Sequence, residues 1–198
     1  GFIGVGQGGS GLVTLNNAGW TLSERLSIGL SEPGEVEGSF NILGVGTLLL
    51  NDGAIEVPLF SGDHGANVAG SGQILVTASS ECACNLDPFL TEEDSDPSTK
   101  QTSGLPGGTL TFDGDWTFPQ ATIAIDAASA TESDMIVVSG NADITGATIR
   151  LNFTDGYLPK TGETIPFIMA GGTLTIDENT TLEYTGAAEG FMFTVAEE

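Results

Sequence analysis

The amino-acid sequence predicts an all-β fold: a β-solenoid rod of the parallel β-helix kind, with a β-sandwich or jelly roll as the alternative. Three observations predict it. Ala147, Ile149, Leu151 and Phe153 alternate with Thr148, Arg150 and Asn152, and period two marks a half-buried strand. Around them Met135–Val138, Ile144 and Ile165–Ile168 form short apolar stretches, rich in β-branched residues and cut off by Gly, Pro, Asn or Asp, which suits strands and not helices. Finally, 29 glycines and only 16% charged residues in a chain that is 39% hydrophobic give a turn-dense all-β composition.

In chain order, Phe2–Val5 is expected as a strand, Gly6–Gly11 as a glycine-rich corner and Leu12–Leu15 as a second strand ending at Asn16. Ile28-Gly29-Leu30-Ser31 echoes Ile3-Gly4-Val5-Gly6 at a spacing that fits one solenoid coil. Gly46-Thr47-Leu48 opens a further strand before Asn51-Asp52-Gly53. The same Gly-Thr-Leu signature returns at Gly108 and Gly172, so the period is degenerate, with insertions looping out of a regular stack. Residues 81–104 are polar, acidic and aperiodic. They read as one long surface excursion, dividing an N-terminal β section (1–80) from a C-terminal one (105–198) of the same domain. Thr173–Ile176, Thr181–Tyr184 and Phe191–Val195 close the chain as strands.

One coil cannot bury its own apolar face. Stacking coils about 4.8 Å apart buries a continuous inner column and pairs the backbone between coils. At roughly 20–25 residues per coil the chain would make about eight coils and a rod of roughly 40 Å.

The run from Ser133 through Asp134-Met135-Ile136-Val137-Val138-Ser139-Gly140-Asn141-Ala142-Asp143-Ile144, followed by Asp155-Gly156-Tyr157-Leu158-Pro159-Lys160-Thr161-Gly162-Glu163-Thr164-Ile165, resembles the β-solenoid segments of autotransporter passengers and related bacterial surface proteins. About forty residues match closely, and residues 1–58 more loosely. The resemblance implies architecture and a place at the cell surface, and no particular activity.

The net charge is −23, with Arg25, Lys100, Arg150 and Lys160 the only basic residues. Nucleic-acid or anionic-membrane binding needs Lys/Arg clusters, so neither is expected. No run is long and apolar enough for membrane insertion. The start lacks the basic n-region of a signal peptide, and the expectation is a mature product or an excised fragment.

Candidate sites are few. Asp87, Glu92, Glu93, Asp94 and Asp96 could hold Ca²⁺, a hard cation that takes clustered carboxylates; a solvated acidic loop is the competing reading. Asp113-Gly114-Asp115 is a second candidate, against a plain turn. Cys82 and Cys84 could form a local disulfide, bond neighbouring molecules or stay free. His64 beside Asp63 has no nucleophile motif with it and reads as a turn histidine. Four basic residues are too few for a polyuronate lyase, and no enzyme is expected. Leu158-Pro159-Lys160-Thr161-Gly162 matches the LPxTG sorting signal without the apolar segment that should follow it. Asn152-Phe153-Thr154 and Asn179-Thr180-Thr181 are glycosylation sequons.

The expected function is a secreted structural subunit of a fibre, sheath or surface layer, polymerising with copies of itself. Phe2, Ile3 and Val5, or Phe191, Phe193 and Val195, are the expected assembly strands, paired edge to edge or donated to a neighbour. The alternative is an adhesin stalk that presents residues 81–104 or a β face to a host surface or carbohydrate.

Overall fold

The structure, a computed structural model, describes residues 2–3, 10–22, 25–30, 39–43, 45–62, 66–88, 106–188 and 190–195. Seventeen strands and no helix occur among them. In order they are β1 (Phe2–Ile3), β2 (Ser10–Asn16), β3 (Gly19–Thr21), β4 (Arg25–Leu30), β5 (Ser39–Leu43), β6 (Val45–Gly62), β7 (Ala66–Cys82) and β8 (Asn85–Pro88). Then follow β9 (Thr109–Asp113), β10 (Trp116–Thr117), β11 (Thr122–Ala127), β12 (Met135–Val138), β13 (Ala142–Asp143), β14 (Thr148–Phe153), β15 (Ile168–Ala170), β16 (Leu174–Thr175) and β17 (Thr181–Thr185).

Every pairing between these strands is parallel, whereas a jelly roll is built from antiparallel strands. The pairings form three ladders. Ladder A runs β2–β6–β7–β8–β11–β14–β17. Ladder B runs β3–β6–β7–β9–β12–β15. Ladder C runs β1–β5–β4–β6–β7–β10–β13–β16. β6 and β7 are long because each passes through all three ladders, with register shifts between Asn51 and Gly53 and between Val57 and Leu59 marking the corners. Partners in ladder A lie one circuit apart in sequence. Side-chain bonds there join residues 18 apart (Asn85 to Asn67), 26 apart (Asn152 to Asp126) and 33 apart (Thr181 to Thr148).

Alternation places one face of each ladder inside. The predicted inward set Ala147, Ile149, Leu151 and Phe153 is buried, with Arg150 and Asn152 exposed. One column of ladder A runs Val13–Leu48–Val68–Leu86–Ile123–Ile149–Leu182. Fully burying such a side chain is worth ~1.5–3 kcal/mol, and stacking repeats that gain with every circuit. Gly70 marks a corner where no side chain fits. Its φ is +89°, and a Cβ would stand 2.0 Å from the Leu50 carbonyl oxygen.

Part of the core is aromatic. Trp116 packs against Phe60 (ring centroids 5.2 Å), Phe112 (4.6 Å) and Phe118 (5.7 Å). Phe60 and Trp116 belong to strands two steps apart in ladder C, with Ser80 between them. The small Ser80 leaves the room in which the rings meet, while its hydroxyl donates to the Asp115 carbonyl at 2.6 Å.

Three expectations change. Gly-Thr-Leu does not repeat one position, because Thr47 lies in ladder A, Thr109 in ladder B and Leu174 in ladder C. The excursion begins later than residue 81: Glu81 and Cys82 end β7, and residues 85–88 form β8 inside the stack. Phe191–Val195 makes no strand. Phe193 packs instead on Phe153 (5.2 Å), Tyr184 (4.8 Å) and Phe191 (6.1 Å), and the Tyr184 hydroxyl donates to the Phe191 carbonyl at 2.9 Å. Ring packing there replaces strand pairing.

Candidate functional site

Of the predicted Ca²⁺ ligands the structure describes only Asp87. Asp87 lies in β8, half-buried within ladder A, while Glu92, Glu93, Asp94 and Asp96 fall outside the described residues. Burial, and secondarily the nearby Asp126 carboxylate, push Asp87 up to about 6. No group of three or more Asp, Glu, His or Cys suited to a metal occurs among the described residues. Asp113-Gly114-Asp115 is a turn between β9 and β10. The Asp113 carboxylate accepts from the Gln73 amide, and Asp115 Oδ1 accepts from the Asn141 N–H (2.7 Å) and Nδ2 (3.1 Å). Asp63, His64 and Val5 lie outside the described residues, as do Lys100 and most of the 81–104 stretch.

Cys82 and Cys84 form a disulfide with each other across a Cα–Cα distance of 5.0 Å. This selects local pairing among the three sequence options. Both residues are buried in the core, at 0% and 1% exposure, so intermolecular bonding through them has no route. The bridge sits at the inner corner between β7 and β8. A Cβ on Gly62 would lie 3.0 Å from Cys82 Sγ, so this glycine leaves the volume the sulfurs fill.

The sequence reading missed Asp134. It is fully buried, and its carboxylate accepts from the N–H groups of Gly107 (2.9 Å), Gly108 (3.0 Å) and Asp126 (2.9 Å). It thereby ties together the approach to β9, the end of β11 and the start of β12. Burial pushes it up to about 7, with the three N–H donors pulling the other way and Asp126 adding like charge. Its signal in the sequence was an acid immediately before a buried apolar strand, Asp134-Met135-Ile136.

Two open grooves of about 570 Å³ follow the corners. One is lined by Asp52, Ser71, Gln73, Gly107 and Thr109, the other by Pro119, Asp143, Thr145, Asp177 and Asn179. The carboxylates of the second are already engaged by backbone N–H groups. Asp143 Oδ1 accepts from the Thr145 N–H at 2.9 Å, and Asp177 Oδ1 accepts from the N–H groups of Gly146 (3.0 Å) and Thr180 (3.1 Å). Bonds from Asn179 and Gly146 hold Asp177 below the usual carboxylate range. Neither lining contains a His, Cys, Lys or Arg.

The LPKTG stretch is a closed turn: the Lys160 N–H donates to Glu163 Oε2 at 2.8 Å, and the Glu163 N–H to the Lys160 carbonyl at 3.1 Å. Of the two sequon asparagines, Asn152 is bonded to Asp126 and Thr185, and Asn179 to Asp177.

Backbone groups are left open at the outer strands of the described set. Among the described residues β2 and β3 pair on one side only, with β6. At the other end of the same described set, β15, β16 and β17 each pair on one side only, with β12, β13 and β14. Within that set β1, which contains Phe2 and Ile3, pairs only with β5. These edges present rows of N–H and C=O groups that a further strand can take up. Edges are usually blunted with charge or proline, yet β2 and β3 contain neither. Across β15, β16 and β17 the one charged residue is Glu183, neutralised by Arg150 at 2.9 Å. The chain matches no family model, no curated protein and no solved structure.

Proposed function

We propose that this chain is an extracellular β-solenoid subunit that builds a fibre, sheath or surface layer by stacking end to end. The observation that carries the reading is the pair of parallel edges that no strand covers among the described residues, nearly charge-free in a chain of net charge −23. Three parallel ladders of inward apolar columns are the arrangement a solenoid requires. A buried disulfide suits an oxidising compartment, and the resemblance to autotransporter passengers points to the same place. Stacking through ends of opposite kind is heterologous and does not close, so it yields filaments.

Electron microscopy of native, untagged protein, with sedimentation velocity across concentration, tests this. Ladders B, A and C contribute six, seven and eight strands, so a filament should repeat axially at roughly 30–40 Å, taking about 4.8 Å per strand. Single particles at every concentration, with and without Ca²⁺, would sink the proposal.

A further inference from the structure

We infer that Asp134 is a proton-operated latch: protonated, it holds Gly107, Gly108 and Asp126 together at the corner between β11 and β12, and ionised, it lets that corner open while the rest of the stack stays folded. The inference stands apart from the fibre reading, because the latch lies inside one molecule.

Reciprocal bonds build the latch. Asp134 Oδ1 accepts from the N–H groups of Gly107 (2.9 Å) and Gly108 (3.0 Å), and Oδ2 accepts from that of Asp126 (2.9 Å). The backbone returns both contacts. The Asp134 N–H donates to the Asp126 carbonyl at 2.9 Å, and the Met135 N–H to the Gly108 carbonyl at 2.9 Å. One side chain thus joins the approach to β9, the end of β11 and the start of β12. Oδ2 takes one donor where Oδ1 takes two, which leaves a lone pair for the proton. Gly107 also lines the first groove, with Ser71 and Thr109, so the latch fixes one wall of that groove.

The surroundings oppose the charged form. Asp134 is fully buried, and no Lys or Arg among the described residues pairs with it. Asp126 on β11 faces it with like charge, and Asp87 on β8 faces Asp126 in turn. The other packed elements add no counter-charge. β12, β15 and residues 106–108 hold no titratable group. The one in β9, Asp113, is at the far end and bound to Gln73. Arg150 of β14 is bound to Glu183, and Glu132, before β12, is exposed. Burial without a counter-ion disfavours a carboxylate even beside three N–H donors, and it pushes Asp134 up to about 7 from an ordinary 3.8. Opening returns the group to water and its proton to solvent. With these two values the opening equilibrium rises about a hundredfold from about pH 5 to about pH 8 and levels off above.

Amide hydrogen exchange on the whole chain, resolved to single residues by mass spectrometry with electron-transfer fragmentation, tests this. After correction for the intrinsic pH dependence of exchange, protection at Gly107, Gly108 and Asp126 should fall about a hundredfold from about pH 5 to about pH 8. At the upper pH these amides should exchange roughly tenfold or more faster than those of Ile149 and Leu151 in β14, and stay insensitive to about 1 M urea, as a local opening does. Asp134→Asn keeps an oxygen for Gly107 and Gly108 but never ionises, so protection should vary less than about threefold over the same range. Asp126→Asn removes only the facing like charge, since its amide oxygen can still accept from Asn152 as Asp126 does at 3.0 Å. It should cut the fall by about twofold or more, and it keeps the test decisive where Asp134→Asn folds poorly. A fall shared equally by the β14 amides is global unfolding and overturns the latch. So does protection in the parent that is flat with pH, or a fall that Asp126→Asn leaves unchanged.

Discussion

Ser80 is the small residue that lets two large ones touch, and a pair of substitutions measures how much that is worth. Trp116→Ala removes a side chain that is 1% exposed and packed on three rings. Such truncations cost ~3–5 kcal/mol. Ser80→Leu drives a branched side chain between Phe60 and Trp116, an overpacking worth ~1–3 kcal/mol. It also removes the donor to the Asp115 carbonyl, 2.6 Å away, at a further ~1 kcal/mol. If the small residue is there to admit the rings, the two changes must couple. With the indole gone, the larger side chain at position 80 has space to occupy, so the double variant should be more stable than additivity predicts by ~1–2 kcal/mol. Urea unfolding followed by far-ultraviolet circular dichroism is the assay, because Trp116→Ala removes one of only two tryptophans and changes the fluorescence baseline. Additivity within ~0.5 kcal/mol, or a neutral Ser80→Leu, would refute the packing argument.

Two further outcomes follow from buried groups. Dithiothreitol without denaturant should leave Cys82–Cys84 intact, since both residues are buried, and alkylation with mass spectrometry should find thiols only after urea is added. Replacing both cysteines by alanine should lower stability by only ~1.5 kcal/mol in chain entropy, because the closed ring is so short; a loss above ~4 kcal/mol would assign the bridge a larger role than this. Asp87 and Asp134, pushed up to about 6 and about 7 from an ordinary 3.8, make the folded state bind protons more readily than the unfolded chain. Their contribution to stability is therefore full below pH 3.8 and declines as pH rises through 6 and 7. The melting temperature should fall from about pH 5 to about pH 8, and Asp134→Asn should flatten that fall relative to the parent; a profile that rises with pH, or is unchanged by Asp134→Asn, contradicts this account.

The strands with strict alternation were legible in the sequence because burial of one face leaves a period of two: β14 lies where Ala147–Phe153 placed it, and β12 at Met135–Val138. The repeat was harder to see. The sequence advertises Gly-Thr-Leu, but that triplet marks entry from a corner into a strand and occurs on all three ladders. The in-register signal is weaker: Thr47-Leu48, Thr122-Ile123, Thr148-Ile149 and Thr181-Leu182 share one position of ladder A, where a hydroxyl outside is followed by an aliphatic inside. Uneven circuits separate these copies and hide them. The cysteines were misplaced for a related reason. Their acidic surroundings suggested surface, yet a disulfide removes both thiols and leaves a compact apolar bridge that a core accepts. Phe191–Val195 alternates like a strand, but its rings find partners in Phe153 and Tyr184, and period two alone does not tell ring packing from backbone pairing.

The acidity of the chain is also not what composition alone implies. Several carboxylates work as backbone acceptors at corners: Asp134 for Gly107, Gly108 and Asp126, Asp115 for Asn141, Asp177 for Gly146 and Thr180. A corner must turn without a ladder partner for each N–H, and a carboxylate supplies two acceptor oxygens where the ladder supplies none. The exposed charges of this acidic chain, unlike the buried Asp134, repel other copies laterally, and salt screens that repulsion only beyond about 8–10 Å. Along the stack axis the repulsion has little to act on, because β2 and β3 carry no charge and Glu183 is paired with Arg150. Attraction is thereby confined to one direction. In the proposed fibre this anisotropy is what selects long single filaments over bundles. Adding salt should therefore thicken the filaments by side-to-side association before it changes their axial repeat, since lateral contacts are the ones that charge opposes.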